Sequence, residues 1–365
     1  MSYQAAPLQA STIPELRVGG QARAELARDL VLLRIEEDCD GMKCLQATLI
    51  AVGPREGAQV EQINWLDGRV LDFGTELSVF MGPSDAREEV FTGKVSGLEL
   101  NMRQGRAPEV MCFAEDRLME MRMTRRFKTY ENVSDADLVQ EIASQHGLSA
   151  SVDADGPTYA LVQQWNQSDL AFLRERARRL AADIWVQDST LHMATRDRRQ
   201  ASRLTLIQGG NLMEARIAAD LAHQRGKVVV GGFDDSGQDG ISEEAGVGEV
   251  TAEAQGNRHG VEVLERALGA DRNSHRVREV PLKDDEASAL ARAALLTRAR
   301  RFVTVAGMVD GTPSLGVGSL LRLERVGALF EGDGYYVTQV CHQFDLAQGY
   351  RTHFEAERPW IGSGT

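Results

Sequence analysis

No stretch of this 365-residue chain approaches the ~18 uninterrupted apolar residues that a membrane-spanning helix needs. The N-terminus, MSYQAAPLQASTIPELRV, has neither a basic start nor an apolar run, so no secretory signal is expected and folding in the cytoplasm is. Positive charge is in deficit: 41 Lys and Arg stand against 54 Asp and Glu, a net charge of −13. A surface that neutralises phosphates needs the opposite balance, which argues against specific nucleic-acid binding. Short basic runs at 122–126 and 196–203 read as solvated faces or domain junctions. Cysteine is scarce, at positions 39, 44, 112 and 341. The one close pair, Cys39 and Cys44, lacks the second pair or nearby His of a zinc site, so free thiols in a reducing compartment are the reading.

Motifs that carry chemistry are also missing. There is no Gly-x-Ser-x-Gly elbow, no His-Glu-x-x-His and no Gly-x4-Gly-Lys-Ser/Thr loop. The seven histidines, at 146, 192, 223, 259, 275, 342 and 353, form no ligand spacing. His342 and His353 fall on neighbouring expected strands, and a structural or surface role is the reading for both. The glycines of GTPSLGVGSLL do not sit between a strand and a helix, so a phosphate cradle is not expected. Acidic residues are too numerous to single out an acid–base pair. No catalytic, cofactor-binding or metal-ligating residue is assigned, and the chain is expected not to be an enzyme.

What is present is β-strand pattern. Length suggests two or three domains. After a polar arm over residues 1–25, LVLLRIEED places Leu30, Leu32, Arg34 and Glu36 on one face of a strand and Val31, Leu33 and Ile35 on the other. CLQATLIAV, VLDFGTELSVFMG and EEVFTGKVSGLELNM follow, separated by turn residues. A small barrel is expected over residues 1–125. From 126 to 200 the pattern changes to a small α/β domain. Ser134 caps a helix with Asp137 as its capping-box partner, and Leu138, Val139, Ile142 and Ala143 make its apolar stripe. Gly147 suits the left-handed position after its last turn. A second helix starts at Ser168, and DIWVQDSTLHMATR reads as a hairpin turning at Asp188-Ser189. Residues 201–365 return to β, with a flexible insertion expected at 234–280 and a helix at 285–301. The closing segment, from Arg301 to Trp360, alternates like the wall of a second barrel. The fold class expected is α+β, mainly β, with two antiparallel β-barrel domains flanking the α/β domain.

Four segments in series carry a resemblance. NQSDLAFLRERARRLAADIWVQDSTLHM resembles the N-x-S-D-x-x-F-L signature of phage late control protein D, a family that includes the hub part of VgrG proteins of type VI secretion. KTYENVSDADLVQEIASQHGL, FTGKVSGLEL and GDGYYVTQVCHQFDLAQGYRTHFEAER are similar to its other elements, in the same order. The chain departs from the pattern at Arg176, where a Leu is usual, and at Ala182-Asp183, where a Gly is common. No OB-fold or β-helical spike sequence follows the resemblance. It therefore implies a baseplate hub of a contractile injection system or phage tail, working with a separate spike. The implied assembly is a homotrimer whose paired torus domains make a pseudo-sixfold platform for a hexameric tail tube on one side and a trimeric spike on the other. Partners would be the tube, the spike and other baseplate components, with no cofactor, no metal and no membrane insertion. Assembly in the cytoplasm and residence in the finished particle follow, and the two β regions should superpose. Two other readings stand beside this one. One is a cell-wall glycan-binding or lytic tail protein, suggested by a LysM-like run at YENVSDADLVQEIASQHGL, and the other is a truncated type VI hub.

Overall fold

The computed structural model describes residues 4–5, 13–53, 62–199, 201–234, 237–269, 272–276 and 281–362. The protein is mainly β, with seven helices among the described residues. Strands of four or more residues are numbered here. Six form the first unit: β1 (Glu15–Val18), β2 (Leu30–Asp38), β3 (Cys44–Ile50), β4 (Glu76–Met81), β5 (Glu88–Asn101) and β6 (Glu109–Glu115). Helix α1 (Ala24–Asp29) lies between β1 and β2, and α2 (Leu118–Met123) follows β6. The α/β domain comprises β7 (Arg125–Ser134), α3 (Asp135–Gln145), β8 (Ser149–Asp153), β9 (Thr158–Ser168), α4 (Asp169–Arg179), β10 (Ala182–Gln187) and β11 (Thr190–Thr195).

The remainder begins with β12 (Arg203–Ile207), β13 (Leu212–Ala219), β14 (Lys227–Asp234) and β15 (Asp239–Ala245). Then come α5 (Val247–Ala254), α6 (Gly260–Leu268), β16 (Asn273–Arg276) and α7 (Asp284–Arg300). It closes with β17 (Val303–Asp310), β18 (Leu320–Glu324), β19 (Gly332–Asp345) and β20 (Gly349–Arg358).

The first unit runs in space β1-β4-β5-β6-β3-β2 and the second β12-β18-β19-β20-β17-β13. Taken in chain order, the six strands of each unit occupy the same six places. The correspondence extends to irregularities. Val31 is an extra residue in β2, between Leu30 opposite Leu49 and Leu32 opposite Thr48. Met213 is the extra residue in β13, between Leu212 opposite Val309 and Glu214 opposite Met308. The long strands bulge alike, at Ser96 in β5 and at Thr338 in β19. These β-bulges bend the strands at matched points. They place Leu30 with Leu212, Arg34 with Arg216, Glu99 with Cys341 and Leu100 with His342. The units differ at their first strand: β1 runs antiparallel to β4, whereas β12 runs parallel to β18.

The bulge at Val31 corrects the simple alternation of the sequence. Leu30, not Val31, joins Leu33 and Ile35 on the buried face, because the extra residue shifts the phase by one. Two further expectations change. The β regions are not two separate sheets, because β2 also pairs antiparallel with β19, from Asp38 opposite Gln339 to Leu32 opposite Asp345. One continuous sheet results, and among the described residues no pairing closes either unit into a barrel. The stretch read as a flexible insertion is folded over its described residues. β15 and β16 flank β14, and Val228, Val230, Ile241, Val250, Val261, Leu290, Ala291 and Leu295 share one core beneath α7. Its polar composition reflects small elements with one thin apolar side each.

Each unit has its own core. The first is built on Leu33, Ile35, Leu45, Leu49, Val79, Phe91 and Val110, and the second on Leu206, Val305, Leu321, Tyr335, Val340 and Phe354. Phe344 and Tyr350, at the end of β19 and the start of β20, are buried in the first core, not the second. In the α/β domain, the capping box at Ser134 and Asp137 is formed, and Gly147 has φ +64°. Arg176 is buried and its Nε lies 2.5 Å from Asp135 Oδ1, over the ring of Tyr159, so the departure from Leu is matched by a buried carboxylate. Among the described residues no helix is long and apolar enough to cross a membrane.

Candidate functional site

The feature with the greatest reach is a wall of eight antiparallel strands, β5-β6-β3-β2-β19-β20-β17-β13. It is made of two four-strand repeats joined at β2 and β19. One face of the wall covers the two cores. The other is polar, because along each strand the side chains opposite the core residues are charged or hydrophilic. Glu36, Glu99, Glu109, Glu214, Asp310, Asp345 and Glu355 lie on this face by strand phase, against Arg34, Arg216 and Arg351. A shallow groove of about 590 Å³ runs from β2 across the second half of the wall, lined by Arg34, Glu36, Arg216, Gln343, His353 and Glu355. Arg34 bonds Glu36, and Arg351 Nη1 lies 2.7 Å from Asp310 Oδ1, which leaves the face acidic on balance.

Strand directions put the β5–β6 and β19–β20 hairpin tips at the same end of the wall, four strands apart. At ~4.8 Å per strand that is roughly 19 Å. Each tip carries an exposed apolar residue, Met102 at 65% and Leu346 at 69% exposure. A second exposed apolar patch sits on the α/β domain, where Phe127 and Trp165 are cross-strand partners on β7 and β9 and point outward.

A cluster of buried charges fixes the three parts to one another. Arg199 lies over the Trp185 ring, 4.0 Å from its centroid, with Asp183 at 3.4 Å and Glu37 at 3.7 Å. Tyr336 donates its hydroxyl to Asp183, and Arg196 lies over the Tyr336 ring and bonds Glu357 at 2.7 Å. Of the basic run at 196–203, Arg196 and Arg199 thus serve a domain junction.

The histidines singled out by sequence do not meet. His342 is buried with Tyr350, whose hydroxyl is 2.7 Å from its Nδ1, and burial drives its pKa down to about 3. His353, on the neighbouring strand, lines the polar groove on the opposite face. All four cysteines are free thiols. Burial pushes Cys39 and Cys112 up to about 12 and Cys44 to about 11, so they stay protonated and unreactive at neutral pH. Among the described residues no cluster of three or more His, Cys, Asp or Glu is arranged to hold a metal ion. Sequence reasoning missed the junction of β2 with β19, and the only local signal for it was the length of LVLLRIEED, whose edge cannot be left uncovered.

The architecture is that of phage and prophage tail proteins. The chain is similar in fold to the 43 kDa tail protein of prophage MuSo2 from Shewanella oneidensis, with a TM-score of 0.67 and 15% identity over 95% of this chain and 98% of that one. It is similar to a tail protein from Neisseria meningitidis MC58, with a TM-score of 0.64 and 13% identity over 95% and 97% of the two chains. A third likeness, at TM-score 0.55 and 10% identity over 96% of this chain and 79% of that one, is to an E. coli component of the type VI secretion system, itself described as structurally similar to T4 bacteriophage tail proteins. The chain belongs to the family described as the Alg8 N-terminal domain, whose model matches residues 56–345. No curated protein matches the sequence.

Proposed function

We propose that the protein is a structural hub of a contractile tail or injection particle, a homotrimer that joins a hexameric inner tube to a separate trimeric spike. The observation that carries this reading is the internal repeat of the wall. Each chain supplies two equivalent four-strand units, so three chains supply six, which is the match a sixfold tube requires of a threefold spike. In this reading each unit acts as one torus barrel, completed by its neighbours in the ring. Twenty-four strands at ~4.8 Å give a circumference of roughly 115 Å and a bore of roughly 37 Å between backbones, before strand tilt widens it.

The polar face then lines the bore. Its acidic balance repels a passing polyanion such as DNA, and a basic lumen in the assembled ring would count against this. The role is mechanical, with no catalysis and no cofactor. The protein assembles in the cytoplasm and remains in the finished particle with tube, spike and baseplate components. The fold shared with tail proteins supports the reading.

The test is mass and shape in solution. A species of three times the 40.1 kDa chain, giving ring-shaped electron-microscopy averages with six lobes, is the expected result. A persistent monomer that binds or degrades peptidoglycan would replace this reading with the cell-wall one.

A further inference from the structure

The wall ends in two unpaired edges. At one end, the half of β5 beyond its bulge pairs β6 on one side only, because β4 reaches no further than Lys94. At the other end β13 pairs β17, and apart from an isolated bridge between Leu212, its first residue, and Gln208, nothing else pairs it among the described residues. That outer strand, LMEARIAA, is eight residues long, has no Lys or Pro, and exposes Ala215, Ala218 and Ala219. An edge of this kind is protected in native proteins by charge, by bending or by a partner.

The chain itself shows what the partner is. Inside the molecule, the edge of the first unit, β2, pairs with the long strand of the second, β19. β13 occupies the place of β2, and β5 the place of β19. We infer that β13 of one protomer pairs antiparallel with β5 of the next, in the register of the β2–β19 joint, so that the joint between protomers is a copy of the joint within one. This rests on the trimer proposed above and adds to it which edges meet and in what register.

The matched bulges fix the residue pairs. Glu36 opposite Cys341 becomes Ala218 opposite Glu99, Ile35 opposite His342 becomes Ile217 opposite Leu100, and Arg34 opposite Gln343 becomes Arg216 opposite Asn101. The bond from Cys39 N to Thr338 O, which extends the internal joint, becomes one from Leu221 N to Ser96 O.

A second observation supports the same pairing. Phe344 lies opposite Leu33 and is buried in the core of the first unit, although it belongs to the second. Its counterpart one residue beyond Asn101 is Met102, which is 65% exposed in the single chain. In the inferred joint Met102 lies opposite Ala215 of the next protomer and enters that protomer's second core, as Phe344 enters the first. The exposure of Met102 is then the uncovered half of a contact that the chain already makes once.

Cysteine pairing tests this. Glu99→Cys and Ala218→Cys are placed together in a chain whose four native cysteines are alanine, and oxidised or treated with a short thiol-to-thiol linker. A control chain keeps Cys341 and carries Glu36→Cys, which reports a folded internal joint through an intrachain bond. The expected result is a covalent trimer from Glu99→Cys with Ala218→Cys and none from Glu99→Cys with Arg216→Cys, two residues out of register. Met102→Asp, on an exposed residue, should abolish the covalent trimer and the trimer mass while leaving the circular dichroism of the chain unchanged. A trimer that cross-links only out of register, or that survives Met102→Asp, overturns the inference and leaves the trimer reading standing. A monomer at every concentration, with the control bond formed, overturns the trimer reading and the inference with it.

Discussion

Gly74 and Gly318 occupy the same position in the two halves of the molecule. Both have positive φ, at +77° and +90°, and each donates its backbone N–H to the central strand, Gly74 to Val95 O at 2.8 Å and Gly318 to Val337 O at 2.9 Å. The reciprocal bonds, from Val95 N to Thr75 O and Val337 N to Ser319 O, are both 2.9 Å. The two turns enter β4 and β18 identically, but their surroundings differ. A Cβ on Gly74 meets nothing within 4 Å, whereas one on Gly318 would lie 2.4 Å from Arg199 Nε. Gly74→Ala should therefore cost only the backbone term of about 1 kcal/mol. Gly318→Ala should cost at least twice that, because it also pushes Arg199 off Trp185 and Asp183. Urea unfolding of the two variants compares them, and equal losses would contradict the junction described for Arg199.

The Arg176–Asp135 pair should behave as a buried salt bridge. Arg176→Leu restores the side chain usual in the resembled family but strands a buried carboxylate, and should destabilise the protein by about 3–5 kcal/mol. Replacing Asp135 by Asn in the same chain should recover much of that loss, since Tyr159 still has an acceptor at 3.2 Å. A single Arg176→Leu variant as stable as the parent in thermal unfolding would show the pair to be dispensable.

Two buried groups give opposed acid responses. His342 stays neutral in the fold down to about pH 3. The unfolded chain takes that proton near its ordinary value of about 6.5. Stability therefore falls by roughly 1.4 kcal/mol per unit as pH drops below 6.5. Asp116 runs the other way. Burial raises it to about 6, against the pull of hydrogen bonds from the Lys43 and Leu118 amides. The folded state binds this proton first, so stability rises as pH drops from about 6 to 4. The parent should be nearly flat across that window. His342→Leu, which copies Leu100 of the other unit, should gain stability on acidification, and Asp116→Asn should lose it. Chemical denaturation at several pH values reads both slopes, and a flat His342→Leu profile would contradict the assignment.

Phe127 and Trp165 contribute no core. Changing both to Gln should shift unfolding of the isolated chain by no more than about 0.5 kcal/mol. Trp165 fluorescence should be open to quenching by iodide. A large loss of stability would mean that these rings support the β7–β9 ribbon instead of facing outward.

Local signals were read well from sequence, and long-range ones were not. The helix α3 was legible to its cap, because Ser134 and Asp137 satisfy each other's backbone donors in a way that needs no tertiary partner. α7 spans Asp284–Arg300, within one residue of its expected ends. The bulges at Val31, Ser96, Met213 and Thr338 leave no mark in composition, yet each reverses which face the following residues take. The repeat is hidden for a related reason. Equivalent positions need only fit their surroundings in volume, so Leu100 can stand for His342 and Met102 for Phe344 without recognisable sequence similarity. The β2–β19 joint could not be read, since its strands lie some three hundred residues apart.

That separation has a consequence for how the chain reaches its native state. Phe344 and Tyr350 complete the core of a unit whose other strands end at Glu115. During synthesis, the first unit remains unfinished, with the edge of β2 bare, until β19 and the start of β20 have emerged. Long-range strand pairing of this kind closes slowly, and until it does the bare edge is open to other chains. An amino-terminal fragment that ends before β19 would therefore keep the edge of β2 and part of its apolar core uncovered.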